Sequence, residues 1–380
     1  MLRSLTGTFL DFLQGKGSRL SHFLGLAASI MALNVFTYTL ASSLFITHAG
    51  ADGLPISYIL IGLVAIPLYT GFSQILDRFS HIRFFQYLLL GGIVFVLFMR
   101  ALLSLSDLPV YYIIYIGSYF QWTLHNDVLL PTLINDYFTS REYNRKIHYI
   151  TMSQGIGGLL GGSLLSLLSH RVSTQDLLLG VPIFYGIAIA QFSYLRNSKD
   201  PVSKSKAKSS SSPIENIKVL PMLWKRYPIV GFLVTSILLW IILYSLAEFQ
   251  YYKIYEQAFD YDEKALTRFL GIFSAIGNIL QLLLLYFGTR FLLDRVGVVR
   301  MNLLYPLTTL IGFIGLAIFP LFPTAIFLHF NNATLDNTIN QPAHELNYNA
   351  IPHNFMGRVR SLINGVFYSL GVALSGVLLL

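Results

Sequence analysis

No cysteine occurs among the 380 residues, which excludes disulfides and thiol chemistry but does not by itself assign a compartment. Charge is scarce too. Asp, Glu, Lys and Arg make up 12% of the chain against 54% hydrophobic residues, and no soluble domain carries that much apolar surface. The usual enzyme signatures are absent: there is no Cys/His metal spacing, no Gly-x-Ser-x-Gly, no Lys-Ser/Thr phosphate loop and no carboxylate pair on a soluble scaffold. The sequence therefore reads as a non-enzyme that needs no cofactor and no metal.

What is present is a series of long apolar runs. About 20 apolar residues cross a bilayer core as a helix, and such runs occur at roughly 23–46, 56–76, 84–105, 109–131, 147–169, 177–195, 228–250, 267–288, 301–319, 324–344 and 361–380. They are continuously apolar rather than alternating, which favours helices over a β-barrel. The expected fold is all-α and polytopic, with the lipid bilayer as its surroundings. The first 20 residues hold Arg3, Lys16 and Arg19 but no small-residue cleavage site after an apolar core, so no removable signal peptide is expected. Leu2, Leu5, Phe9, Phe12 and Leu13 suit an apolar stripe on the inner membrane surface.

The net charge of +8 raises the question of nucleic acid. With the N-terminus in the cytoplasm, 21 of the 26 Lys and Arg fall in inner segments, and only Arg100, Arg171, Lys253, Lys264 and Arg268 lie at the opposite ends. That bias is the positive-inside rule. The basic balance is topological, and no nucleic-acid partner is required.

One long polar stretch, "RNSKDPVSKSKAKSSSSPIENIK", separates the sixth and seventh runs, as a flexible solvated linker does. It divides the chain into a cytoplasmic segment 1–22, a six-helix bundle 23–195, a cytoplasmic linker 196–227 and a second bundle 228–380. The two bundles repeat each other. Asp77, Arg78 and Arg83 recur as Asp294, Arg295 and Arg300 at an offset of 217, between the second and third runs of each half. Asn126, Pro131 and Tyr137 recur as Asn337, Pro342 and Tyr348 at an offset of 211, at the end of the fourth run. Two matches in the same order point to duplication, and six spans between equivalent points make it a parallel repeat.

The loop Asp-Arg-x-Gly-x-x-Arg, intact at Asp294 to Arg300 and with Ser80 in place of the glycine at Asp77 to Arg83, resembles the signature loop of the major facilitator superfamily. The resemblance implies a six-plus-six transporter rocking about a central site lined by spans 1, 4, 7 and 10, with Asp77, Arg78, Arg83, Asp294, Arg295 and Arg300 as a cytoplasmic latch. A charge-assisted contact of an Asp with a helix N-terminus gives the latch a physical basis. The stretches "NDYFTSREYNRKIHYITMSQGIGGLLGG" and "LNYNAIPHNFMGRVRSLINGVFYSLGVALSGVLLL" resemble the ATP/ADP translocase-like branch, including bacterial members fused to helical repeats and a cyclic-nucleotide-binding domain. That branch implies an inner membrane and a nucleotide-like solute, yet its exchangers use lysines inside the membrane where the first span here has Asn34. Twelve spans are expected of such a fold, and the chain stops within the eleventh, as a truncated chain does.

Charges and amides inside a bilayer are costly and tend to face a cavity or one another. Span 1 offers Asn34 and Tyr38, span 4 Gln121, His125 and Asp127, span 7 Tyr244 and Glu248, and span 10 His329, Asn332, Asp336 and Asn340. The repeat pairs His125 with Asp336, which predicts facing sides of one cavity. His125, Asp336 and Glu248 are candidates for proton coupling. The glycines of "GIGGLLGG", and Gly365, Gly371 and Gly376, read as helix-packing positions. The expected function is secondary transport of a small polar, anionic or nucleotide-like solute. The alternative is a transporter-like anchor or sensor for a soluble region beyond Leu380.

Overall fold

The structure is a computed structural model that describes residues 19–76, 81–105, 107–138, 140–198, 224–288, 295, 297–348, 351, 359–360 and 362–380. Among them every regular element is helical. In chain order the longer α-helices are α1 (Arg19–Ala49), α2 (Leu54–Leu76), α3 (His81–Leu102), α4 (Leu108–Thr123), α5 (Leu130–Tyr137), α6 (Ser140–Leu168), α7 (Val181–Ser198), α8 (Pro228–Phe259), α9 (Glu263–Leu283), α10 (Val298–Ile318), α11 (Phe322–Phe330), α12 (Gln341–Asn347) and α13 (Tyr368–Leu379). Eight described helical runs are long and apolar enough to cross a membrane. The remaining three expected spans are helical but more polar. They are α4 with α5, α6, and α11 with α12.

Helix starts follow the sequence punctuation. Proline stands in the first turn of α4, α8 and α11, where its missing N–H costs nothing. Gly297, at φ 79°, precedes α10. Pro67 and Pro306 lie inside α2 and α10, a pattern that neighbouring helices make tolerable in a membrane.

Among the described residues, four stretches take the wider π turn. Residues Leu124–Leu129, Leu284–Gly288, Asn331–Asn340 and Leu362–Phe367 are π-helical. The first joins α4 to α5 and the third joins α11 to α12. At the repeat offset of 211, Leu124–Leu129 corresponds to residues 335–340, inside the third stretch. The duplicated fourth span thus carries the same helical irregularity in both copies.

The chain folds into two compact units, each assembled from separate stretches: 1–45, 79–206 and 263–279 in one, 46–78, 207–262 and 280–380 in the other. In the first unit α6 is the central packing element. A side chain at Gly157 or Gly161 would run into the backbone of Ala28 or Ala32 on α1, and one at Gly158 or Gly162 into Asn278 or Ala275 on α9. Two small-residue stripes, each four residues apart, therefore bring two helices against α6 at backbone distance, as the glycine cluster predicts. In the same unit α3 packs on α7 through Phe85 and Phe192, whose rings are 4.6 Å apart, and Gly92 makes room for Tyr185.

In the second unit α2 runs along α13, with Gly62 against Ala373 and Gly376 against the Pro55 carbonyl, while Gly371 receives Ile241 of α8. Gly365 differs from the packing expectation, since nothing lies within 4 Å of where its Cβ would stand. The turn before α2 is tied to the end of α8. Ala51 N donates to Glu256 Oε2 at 2.9 Å, and Lys253 Nζ meets Asp52 Oδ1 at 2.9 Å. In the turn after α8, a hydrogen bond to Glu256 holds the Tyr261 hydroxyl above the ordinary tyrosine pKa.

Candidate functional site

Among the described residues, each unit holds a buried cluster of amide and titratable side chains in otherwise apolar helices. In the first, Asn34 of α1 is 1% exposed and so is His125, the second residue of the π-helical stretch after α4. Asn34 Oδ1 accepts from Gln121 Nε2 at 3.2 Å and lies 3.1 Å from His125 Nδ1. A carbonyl oxygen cannot donate, so with this amide orientation Nδ1 carries the proton. The ring is flanked by Phe85 and Tyr185, each centred 6.0 Å away. Asn34 Nδ2 and Asn126 Oδ1 are buried without a hydrogen-bond partner, a cost of about 1–3 kcal/mol each. Reversing the Asn34 amide only exchanges which of its atoms is orphaned.

Tyr38 of α1 belongs to an aromatic wall with Trp122 at 5.8 Å and Tyr115 at 6.1 Å. The side chain of Asp127 lies outside the described residues.

In the second unit Asp336 is 2% exposed. Its Oδ1 accepts from Asn340 Nδ2 at 2.8 Å and its Oδ2 from Gln341 Nε2 at 3.4 Å. Asn332 is fully engaged: Tyr305 OH of α10 donates to its Oδ1 at 2.9 Å, and its Nδ2 donates to the Tyr244 carbonyl of α8 at 2.9 Å. Next to it Asn331 accepts from Thr308 at 2.5 Å and donates to Thr309 at 2.7 Å. Glu248 of α8 is 5% exposed and accepts from Tyr58 OH of α2 at 3.0 Å. Tyr244 and Tyr305 stand within electrostatic reach of both carboxylates. His329 stacks on Tyr251 at 4.2 Å, with Nδ1 3.3 Å from Tyr255 OH.

A π-helix closes its hydrogen bonds over five residues rather than four, so the stripe that 3.6-residue spacing draws through His329, Asn332, Asp336 and Asn340 is divided. His329 joins the tyrosines of α8, Asn332 joins α8 to α10, and Asp336 pairs with Asn340. Sequence reasoning missed Tyr58, Tyr305, Thr308, Thr309 and Asn331. The pair Thr308-Thr309 inside an apolar run was the available signal. Of the latch, Asp77, Arg78 and Asp294 lie outside the described residues, while Arg83, Arg295 and Arg300 are exposed. Among the described residues no three His, Asp or Glu gather as metal ligands.

Comparison with known proteins gives three findings. The family model of the Major Facilitator Superfamily matches residues 125–376. The crystal structure of a mutant of the nucleoside transporter NupG is similar at a TM-score of 0.70 and 14% identity, covering 95% of this chain and 90% of that one. A bacterial homologue of the human lysosomal transporter Spinster, inward-facing and unoccupied, is similar at a TM-score of 0.55 and 13% identity, covering 95% and 82%. No curated protein matches the chain.

Proposed function

The chain belongs to the Major Facilitator Superfamily, a family of secondary transporters rather than enzymes, and from that premise we propose that it moves a small uncharged, nucleoside-like solute coupled to protons. The observation that carries this is the chemistry of the two buried clusters. The first offers amides, an imidazole and flanking aromatic rings, which suit the flat, donor-and-acceptor edge of a heterocycle. The orphaned amide atoms Asn34 Nδ2 and Asn126 Oδ1 are available to such an edge.

A nucleotide fits less well. Lys and Arg fall at the ends of the spans and in the connecting segments, so mid-membrane there is no cation for a phosphate, whose unpaired charge would be expensive. The name of one similar structure, a nucleoside transporter, agrees with the uncharged reading.

In this proposal Asn34, Gln121, His125 and Asn126 recognise the solute, with Tyr38 in the adjoining aromatic wall and Asp127 close by in sequence. Asp336 and Glu248 carry the proton, and Asn332 and Asn340 position the carboxylate cluster. The halves 23–195 and 228–380 move about the linker 196–227. Asp77, Arg78, Arg83, Asp294, Arg295 and Arg300 form the cytoplasmic latch, and the inner membrane holds the protein with its N-terminus and linker in the cytoplasm.

The test is binding to the detergent-purified protein by thermal shift, with uridine, adenosine and their 5′-monophosphates as probes. A ligand specific for the folded form, at about 100 times its dissociation constant, stabilises it by roughly 2.7 kcal/mol. We expect a shift with the nucleosides, lost in Asn34→Ala. A shift with the monophosphates alone overturns the uncharged reading.

A further inference from the structure

We propose that a groove on the lipid-facing side of α3 and α7 is a binding site for an anionic diacyl phospholipid, with Arg83 as the phosphate-binding cation. The groove measures about 460 Å³ and is lined by Arg83, Gln86, Tyr87, Leu90 and Ile189. Its walls are fixed from behind by the Phe85 and Phe192 contact and by Tyr185 seated on Gly92.

The lining is graded along the helix as a phospholipid is graded in depth. Arg83, Gln86 or Tyr87, and Leu90 recur every three to four residues, so they share one face of α3. Seven residues from Arg83 to Leu90 rise about 10 Å, enough to cross the 5–7 Å of headgroup region on one side of a bilayer and enter the hydrocarbon. Arg83 then stands at phosphate depth. The Gln86 amide and the Tyr87 hydroxyl stand at the glycerol esters, and Leu90 and Ile189 stand against the acyl chains. Tyr87 is 64% exposed and Leu90 48%, as side chains that face lipid are.

Charge points the same way. Arg83 is exposed and has no ion-pair partner among the described residues. It lies in the first turn of α3, which holds no acidic residue, so the helix N-terminus adds its own positive field. A zwitterionic lipid brings an ammonium that competes with Arg83 for the phosphate. A free phosphate leaves the apolar half of the groove uncovered. An anionic phospholipid satisfies both halves.

The experiment places a reporter in the groove. Tyr87→Trp in the full chain is reconstituted in bilayers containing brominated phosphatidylglycerol or brominated phosphatidylcholine at equal mole fraction, and the quenching from Trp122, Trp224 and Trp240 is subtracted with the parent protein. We expect a preference for phosphatidylglycerol of about fivefold, the effect of one basic residue at an anionic surface. It should vanish in Tyr87→Trp/Arg83→Gln, survive in Tyr87→Trp/Arg83→Lys, and persist when inorganic phosphate replaces chloride at equal ionic strength. Equal quenching by both lipids overturns the proposal, as does a preference that survives Arg83→Gln. Relief by phosphate would mean a small-anion site and likewise overturns it. Because Arg83 also belongs to the proposed latch, the readout is lipid contact and not transport.

Discussion

Asn34 offers a single carbonyl oxygen to both Gln121 and His125, and Asp336 accepts from Asn340 and Gln341. These two residues make the sharpest predictions. Asp336→Asn keeps an acceptor for Asn340 and so should fold, but it removes the ionisable group. Gradient-driven uptake should then lose its pH dependence between pH 5 and 8 while solute exchange continues, measured as uptake and counterflow on the same vesicles. Retained pH dependence would show that the proton travels elsewhere. Tyr305→Phe removes the hydroxyl that donates to Asn332, an interhelical hydrogen bond of about 0.6 kcal/mol in a membrane protein. Tyr305→Ala also opens a cavity, costing about 3–5 kcal/mol if it follows other buried aromatics. Thermal unfolding in detergent should therefore separate the two variants clearly.

At the scale of elements, the helical glycines divide into positions that hold a neighbour, as in α6, and positions that do not, as at Gly365. Gly161→Leu should destabilise the protein severely, because the side chain meets the Ala32 carbonyl and neither backbone can move away cheaply. Gly365→Ala should be tolerated, since open space surrounds it and alanine is the better helix former by about 0.8–1.0 kcal/mol. Monodispersity after heating reads both. The spans, the repeat and the glycine stripes were legible in the sequence because each rests on a local pattern: apolar length, offset and four-residue spacing. The π-helical stretches were not. "LHNDVL" and "NNATLDNTIN" announce costly polar residues in a span, but a wider helical turn depends on side chains from other helices, such as Tyr305 and Thr309 on α10. For the same reason the Glu248 partner Tyr58, on a helix 190 positions away in sequence, could not be found from spacing.

For the whole molecule, topology is the first property to check, and the chain suits the check because it has no cysteine of its own. Ser210→Cys lies in the linker and Asp262→Cys in the turn between α8 and α9. A membrane-impermeant maleimide added outside right-side-out vesicles should label the second and spare the first. The reverse pattern would invert the inferred orientation and with it the positive-inside argument.

The measurement that reaches the central claim most directly is uptake of radiolabelled uridine into proteoliposomes of the purified chain, with and without a proton gradient, for the parent protein and Asp336→Asn. The account predicts accumulation above the outside concentration only when the gradient is present, and equilibration without accumulation in Asp336→Asn. A folded, correctly inserted protein that moves no uridine under either condition would contradict it, and would favour a transporter-like anchor or sensor instead.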